Sequence, residues 1–249
     1  MTDPLHPPAD TALAGRRAFL TGAALIGAGV LTGCATRSAT TGLRIATAAA
    51  PRQPTPVPAG ALPAEPPALL ARGDAPRGVR ADLYRRALAA MEWHGTRIPA
   101  RDRIVIADFT PGSARPRLQL INLEDGKVRE LLVAHGIGSD PGHSGFLQRF
   151  SNVPDSECTS AGTYVTRDYY VGQHGHSQRL MGLDPTNNLA FERAIVIHAA
   201  WYANADMIEK HGKLGRSQGC FAVGETELAN LFGALGEGRM IYAGKSVLA

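Results

Sequence analysis

Two short stretches of this chain carry residue types that could do chemistry together: Ser217-Gln218-Gly219-Cys220, and the earlier apolar run Ile195-Val196-Ile197-His198. A free thiol is mostly protonated at neutral pH. A neighbouring imidazole that accepts its proton, and then faces the thiolate as a cation, turns it into a nucleophile. His198 is the candidate base for Cys220. Gly219 lets the backbone approach a substrate carbonyl closely, and the N–H groups of Gly219 and Cys220 are placed to face a developing oxyanion. The reaction class this points to is acyl transfer.

Each residue also has a plainer role. Cys220 and Cys158 form an even pair once Cys34 is set aside, and a disulfide between them is the standard inference for an oxidising compartment. His198 ends an apolar run, where a histidine is often a satisfied core residue; with no carboxylate beside it, a backbone carbonyl near Ala199 is the expected partner of its second ring nitrogen. Ser217 either holds the turn by hydrogen bonding or touches substrate. Arg216 is either a solvated loop charge or a partner for a substrate carboxylate. His135, His143, His174, His176, His198 and His211 could supply a zinc site with Asp206 or Cys220, but neither His-Glu-x-x-His nor Cys-x-x-Cys spacing occurs. No metal and no cofactor is expected.

A strand ending in Ile-His, a variable loop, and then Ser-x-Gly-Cys before an apolar residue resembles the signature of L,D-transpeptidases with the YkuD fold. The likeness runs from about Ile104 to Gly244. Within it, Val133-Ala134-His135-Gly136-Ile137-Gly138-Ser139, Phe150-Ser151-Asn152, Thr159-Ser160-Ala161-Gly162-Thr163-Tyr164 and His174-Gly175-His176-Ser177-Gln178-Arg179-Leu180 resemble the murein subgroup. Two positions depart from the commoner pattern: Gln218 stands where His is usual, and Ala222 where Asn or Arg is usual. The resemblance implies a thioester route on peptidoglycan stem peptides, with Cys220 as nucleophile and His198 as base. It also implies a second stem, a D-amino acid, a protein or water as acceptor, and diaminopimelate or D-Ala carboxylates as partners for Arg216. Trp201 and Tyr202, directly after the base, would wall the site.

These residues need elements to position them. Leu83, Tyr84, Ala87, Leu88 and Met91 recur at helical spacing and predict a short amphipathic helix from Ala81. Strands are predicted at Ile104–Ile106, Leu118–Ile121, Leu131–Val133, Thr163–Val165 and Ala194–Ile197, separated by turns rich in Gly, Pro, Asn and Asp. Leu228, Leu231, Phe232 and Leu235 predict a helix after the nucleophile, and Arg239–Ala243 a last strand. The domain is therefore mainly β with a few helices. Periodicity leaves a sandwich and an α+β sheet open, and the resemblance selects a YkuD-like β-sandwich.

The first 80 residues read differently. Arg16-Arg17 precedes an apolar stretch from Ala18 to Leu31 that suits the core of an export signal and is short for a bilayer span. Gly15-Arg16-Arg17-Ala18-Phe19-Leu20 is similar to a twin-arginine signal. Leu31-Thr32-Gly33-Cys34 is similar to a lipobox, which makes Cys34 a lipidation site; an uncleaved signal anchor or cleavage near Ala48-Ala49-Ala50 are the alternatives. Residues 1–33 are thus read as export signal, 34–79 as a lipidated cysteine and disordered Pro/Ala-rich tether, and 80–249 as the catalytic domain. The tether carries Pro51, Pro54, Pro56, Pro58, Pro63, Pro66 and Pro67, and extended at roughly 3 Å per residue it reaches on the order of 100 Å. The expected location is the periplasm, at a membrane through a lipid anchor.

Composition sets outer bounds. A 249-residue chain with 44% hydrophobic residues can bury a real core. Its net charge of +4 favours anionic surfaces such as peptidoglycan carboxylates or acidic headgroups. No zinc-finger spacing, aromatic RNA-binding motif or concentrated basic run accompanies that charge, so nucleic acid is not an expected partner.

Overall fold

A computed structural model describes residues 74–248; the segment read as export signal, Cys34 and most of the segment read as tether lie outside the described residues. Eight strands form one mixed sheet: β1 (Arg103–Asp108), β2 (Leu118–Asn122), β3 (Val128–Leu131), β4 (Gly162–Gly172), β5 (Gly175–Gly182), β6 (Val196–Ala199), β7 (Phe221–Val223) and β8 (Met240–Gly244). Their spatial order is β3-β2-β1-β8-β4-β5-β6-β7. The β1–β8 and β6–β7 pairs are parallel and the others antiparallel. The sheet coils until its two ends meet. Just beyond β3, the Ala134 N–H donates to the Ala222 carbonyl in β7 at 2.8 Å.

Coiling gives the sheet two differently used faces. On β1, Val105 and Ala107 enter the inner core while Ile104 and Ile106 face outward, as the two-residue strand period requires. The inner core gathers residues from both ends of the sheet, Leu118, Leu120 and Leu131 against Phe221 and Val223. After the short α2 (Asp206–His211), helix α3 (Leu228–Leu235) adds Leu228, Leu231 and Leu235 to it. The outer face of β1, β2 and β8 is covered by α1 (Ala81–His94), whose buried stripe is Leu83, Ala87, Leu88 and Met91. That helix is also tied by a buried hydrogen bond from His94 Nε2 to Asp184 Oδ1 at 2.8 Å.

The mainly β reading with few helices holds, and the sandwich-like layering is realised by one sheet folded over an inner core, with a second apolar layer under α1. Both predicted helices form, as do the strands at 104–106, 118–121, 163–165 and 240–243. Elsewhere the boundaries move. β3 comes earlier than the predicted 131–133, over Val128–Leu131, because Arg129 and Glu130 mask a half-exposed strand and the chain then leaves to bridge β7. β6 starts two residues later than predicted, since Ala194 takes a left-handed conformation at φ 52°. β5, polar in sequence, is not signalled by periodicity. It is buried because both neighbours pair with it and because Gln178 Nε2 donates to the carbonyls of Arg167 and Gly236, at 3.1 and 2.8 Å.

Candidate active site

The site begins with what pins the nucleophile segment. Phe221 is fully buried against the rings of Tyr164 and Phe109, with centroids 5.3 and 6.2 Å away. Ile197 points into the same core from β6, and its register partner is Phe221. Side chains alternate along strands, so His198 belongs to the reverse face, and extending β7 back by one residue puts Cys220 there too, level with Val196. With a ~3.3 Å rise per residue and ~4.8 Å between strands, the two Cα atoms stand about 8 Å apart. A cysteine and a histidine side chain together span that gap.

The turn before Cys220 is built by Ser217. Its hydroxyl donates to the Cys220 carbonyl at 2.7 Å and accepts the Gly219 N–H at 3.2 Å. Its backbone N–H donates to the His135 carbonyl, and its own carbonyl accepts the Ile137 N–H. Gly219 has φ +113°, and a Cβ there would meet the Cys158 carbonyl at 2.7 Å and Ile195 Cδ1 at 2.8 Å. Only glycine satisfies both the backbone and the space. Of the two amides expected to face an oxyanion, that of Gly219 is engaged inside the turn. The Cys220 N–H is the remaining candidate of that pair.

His198 is buried, and its Nδ1 lies 2.8 Å from the Ala199 carbonyl. A carbonyl only accepts, so Nδ1 carries the proton and Nε2 the free lone pair. Burial lowers the pKa of this imidazole; the Ala199 hydrogen bond opposes the shift and the neighbouring His174 adds to it. A neutral ring with a defined basic nitrogen is the form a general base needs. Burial pushes the Cys220 thiol up, against the Val196 backbone and the positive charge of Arg193. Its Sγ donates to the Ala194 carbonyl at 3.6 Å, and no hydrogen bond among the described residues joins it to the imidazole. The thiol is thus held in its protonated form against the Ala194 carbonyl and not against the imidazole. Both Cys158 and Cys220 are free and buried, so the structure contains no disulfide between them.

The other expected site residues are distributed around this pair. Tyr202 is half-buried beside Trp201, and its phenol is pushed up to about 12 by burial and by the Cys220 sulfur within electrostatic reach. Arg216 reaches across the chain, its Nη1 donating to the carbonyls of Asp140 and Pro141, which ties the 140s loop to the nucleophile segment. The histidines do not converge on a metal: among the described residues no cluster of three or more His, Cys, Asp or Glu is placed to hold one.

Three features had little signal in the sequence. Arg193 donates to the carbonyls of Ser151 and Cys158 at 3.0 and 2.6 Å, clamping the loop segment that backs Gly219. A cleft of about 400 Å³ is lined by Asp155, Glu157, Glu192, Arg193, Gln218 and Ala194, whose carbonyl accepts from the thiol, among others. Beneath the turn, fully buried Arg117 donates to His135 Nδ1 at 2.6 Å, while His135 Nε2 lies 3.5 Å from Asp140 Oδ2. Burial and the Arg117 charge hold His135 down at about 4, and burial brings Arg117 to about 9. The Val133–Ser139 motif marked that region but not its partners, of which Asp140 directly follows the motif and Arg117 lies 18 residues before His135.

The family model of L,D-transpeptidase catalytic domains matches residues 76–243, and the chain belongs to that family. No curated protein matches the sequence. Similar solved structures include an L,D-transpeptidase from Mycobacterium smegmatis, 15% identical, covering 57% of this chain and 58% of that one at a TM-score of 0.36. Another is an L,D-transpeptidase from Stackebrandtia nassauensis, 15% identical over 68% of each chain, TM-score 0.35. A third is the helical cell shape determining protein of Campylobacter jejuni, 13% identical, covering 68% of this chain and 57% of that one, TM-score 0.35. The chain spans less than two thirds of the M. smegmatis structure's length.

Proposed function

We propose that the protein is a cysteine acyltransferase that performs L,D-transpeptidation on peptidoglycan stem peptides. The observation that carries this reading is the pairing of a neutral, tautomer-fixed His198 with Cys220 on one face of adjacent strands. The Cys220 thiol loses its proton to His198 Nε2 as sulfur attacks the carbonyl of the L-centre of diaminopimelate in a donor tetrapeptide. The Cys220 N–H faces the oxyanion. Collapse breaks the amide bond, the imidazolium protonates the departing nitrogen, and D-Ala leaves a thioester behind. The amine of a second stem then attacks that thioester, giving up a proton to His198 and restoring the thiol. Ser217 and Gly219 hold the turn through this cycle. Tyr202 and Arg216 shape the wall around it, Tyr202 from beside the sulfur and Arg216 by fixing the 140s loop.

Export, acylation of Cys34 and a tether of the following residues would place this chemistry in the periplasm, at a membrane and within reach of murein. The test is incubation of the purified protein with a tetrapeptide donor and a second stem, followed by mass analysis. A cross-linked product with D-Ala released supports transpeptidation. Tripeptide alone, despite abundant acceptor, makes the protein an L,D-carboxypeptidase that uses water. Murein binding with no D-Ala release makes it a silent binding lipoprotein.

A further inference from the structure

The His174-Gly175-His176 turn has no part in the reaction described above, yet it reaches the base. Register pairs Gly172 with Gly175, so Gln173 and His174 form the tip of the β4–β5 hairpin, and Ser177 of β5 pairs with His198 of β6. From that tip the exposed His174 ring folds back onto the buried His198 ring, with centroids 4.4 Å apart and planes within 20°. The Gln173 amide donates to His174 Nε2 at 3.1 Å, which leaves the His174 proton on Nδ1.

We infer that His174 is a positioning residue, which sets the plane of the His198 imidazole so that Nε2 faces Cys220. This rests on His198 being the base. The torsion that turns an imidazole about its Cβ–Cγ bond has a broad, roughly two-fold profile, so it fixes no plane by itself. The Ala199 carbonyl secures one ring atom. A parallel ring laid on the face supplies the missing restraint and shields that face from water.

The same contact acts on charge. Among the groups packed around His198, His174 opposes its protonation, while Cys220 offers a neutral thiol; Arg193 and Tyr202 face the sulfur instead. Two stacked imidazoles disfavour a second positive charge. His174 therefore keeps the base in its proton-accepting form to lower pH.

The experiment measures iodoacetamide alkylation of Cys220, located by peptide mass, from pH 5 to 9 in the whole protein. It needs no murein substrate. Wild type, His174→Ala, His174→Phe and His198→Ala are compared, with melting temperature and the unlabelled state of Cys158 as checks on folding. His174→Ala is expected to slow alkylation at pH 7 about tenfold, inside the ~100-fold that a 1 Å misplacement can cost. His174→Phe restores the stack without a titratable ring, so it recovers most of the rate while the acid limb of the profile moves to higher pH. With muropeptide donor, His174→Ala lowers kcat and leaves KM within about twofold. A rate that depends on His198 but is indifferent to His174→Ala overturns this inference alone. So does a Phe variant as slow as Ala. A rate indifferent to His198→Ala removes the base and this inference with it.

Discussion

Replacing Ser217 by Ala separates a turn-building role from a substrate contact. The hydroxyl makes two buried hydrogen bonds, to the Cys220 carbonyl at 2.7 Å and from the Gly219 N–H at 3.2 Å. A neutral hydrogen bond contributes about 1 kcal/mol net, and a partner left unsatisfied in a buried site costs about 1–3 kcal/mol. The two losses together come to roughly 2–3 kcal/mol. For a domain of this size each kcal/mol moves the melting temperature by about 2–4 °C, so Ser217→Ala should melt about 4–12 °C lower. Because the bonds hold the residues on either side of the sulfur, kcat should fall while KM stays within about twofold. Thermal unfolding followed by circular dichroism, with steady-state kinetics on the same preparation, reads both. An unchanged melting temperature with a raised KM would refute the reasoning and place Ser217 against the substrate.

Protonation of His135 should weaken the fold. Its folded value of about 4, set by burial and then by Arg117, lies below the ordinary 6.5. The unfolded chain therefore binds the extra proton between those pH values, and stability falls as pH drops from 6.5 toward 4, by about 2–3 kcal/mol. In His135→Gln that slope should be reduced, though not abolished, because His198 is shifted in the same direction; parallel melting curves from pH 7 to 4.5 would contradict this. Cys34→Ala should move the protein from the membrane fraction to the soluble periplasm with its catalysis intact, and an unchanged fraction with no acyl label on wild type would remove the anchor.

How much of this was legible in the sequence follows from what each feature depends on. α1 and α3 are amphipathic over several turns, and β1 and β2 are apolar runs, so local pattern found them. Cys220 and His198 could be singled out as candidates because a small-residue turn before a cysteine and a histidine at the end of an apolar run are local as well. β5 and β7 were not legible. β5 is stabilised by pairing on both sides and by the buried amide of Gln178, and β7 is three residues anchored by Phe221. The setting of the site also depends on long-range contacts: Arg117 meets His135, Arg193 meets Cys158 and His174 covers His198, each partner coming from another segment. The two hydrogen bonds of the Ser217 hydroxyl depend on the conformation of its turn, which residue types alone do not fix.

The central claim is that Cys220 becomes acylated. Intact-protein mass spectrometry of the protein quenched with acid during incubation with a tetrapeptide donor tests it most directly. The account predicts an adduct equal to the donor minus D-Ala, mapped to the Cys220 peptide, sensitive to hydroxylamine as a thioester is, absent from Cys220→Ala and much reduced in His198→Ala. Donor turnover that persists in Cys220→Ala, or an adduct on another residue, would contradict it.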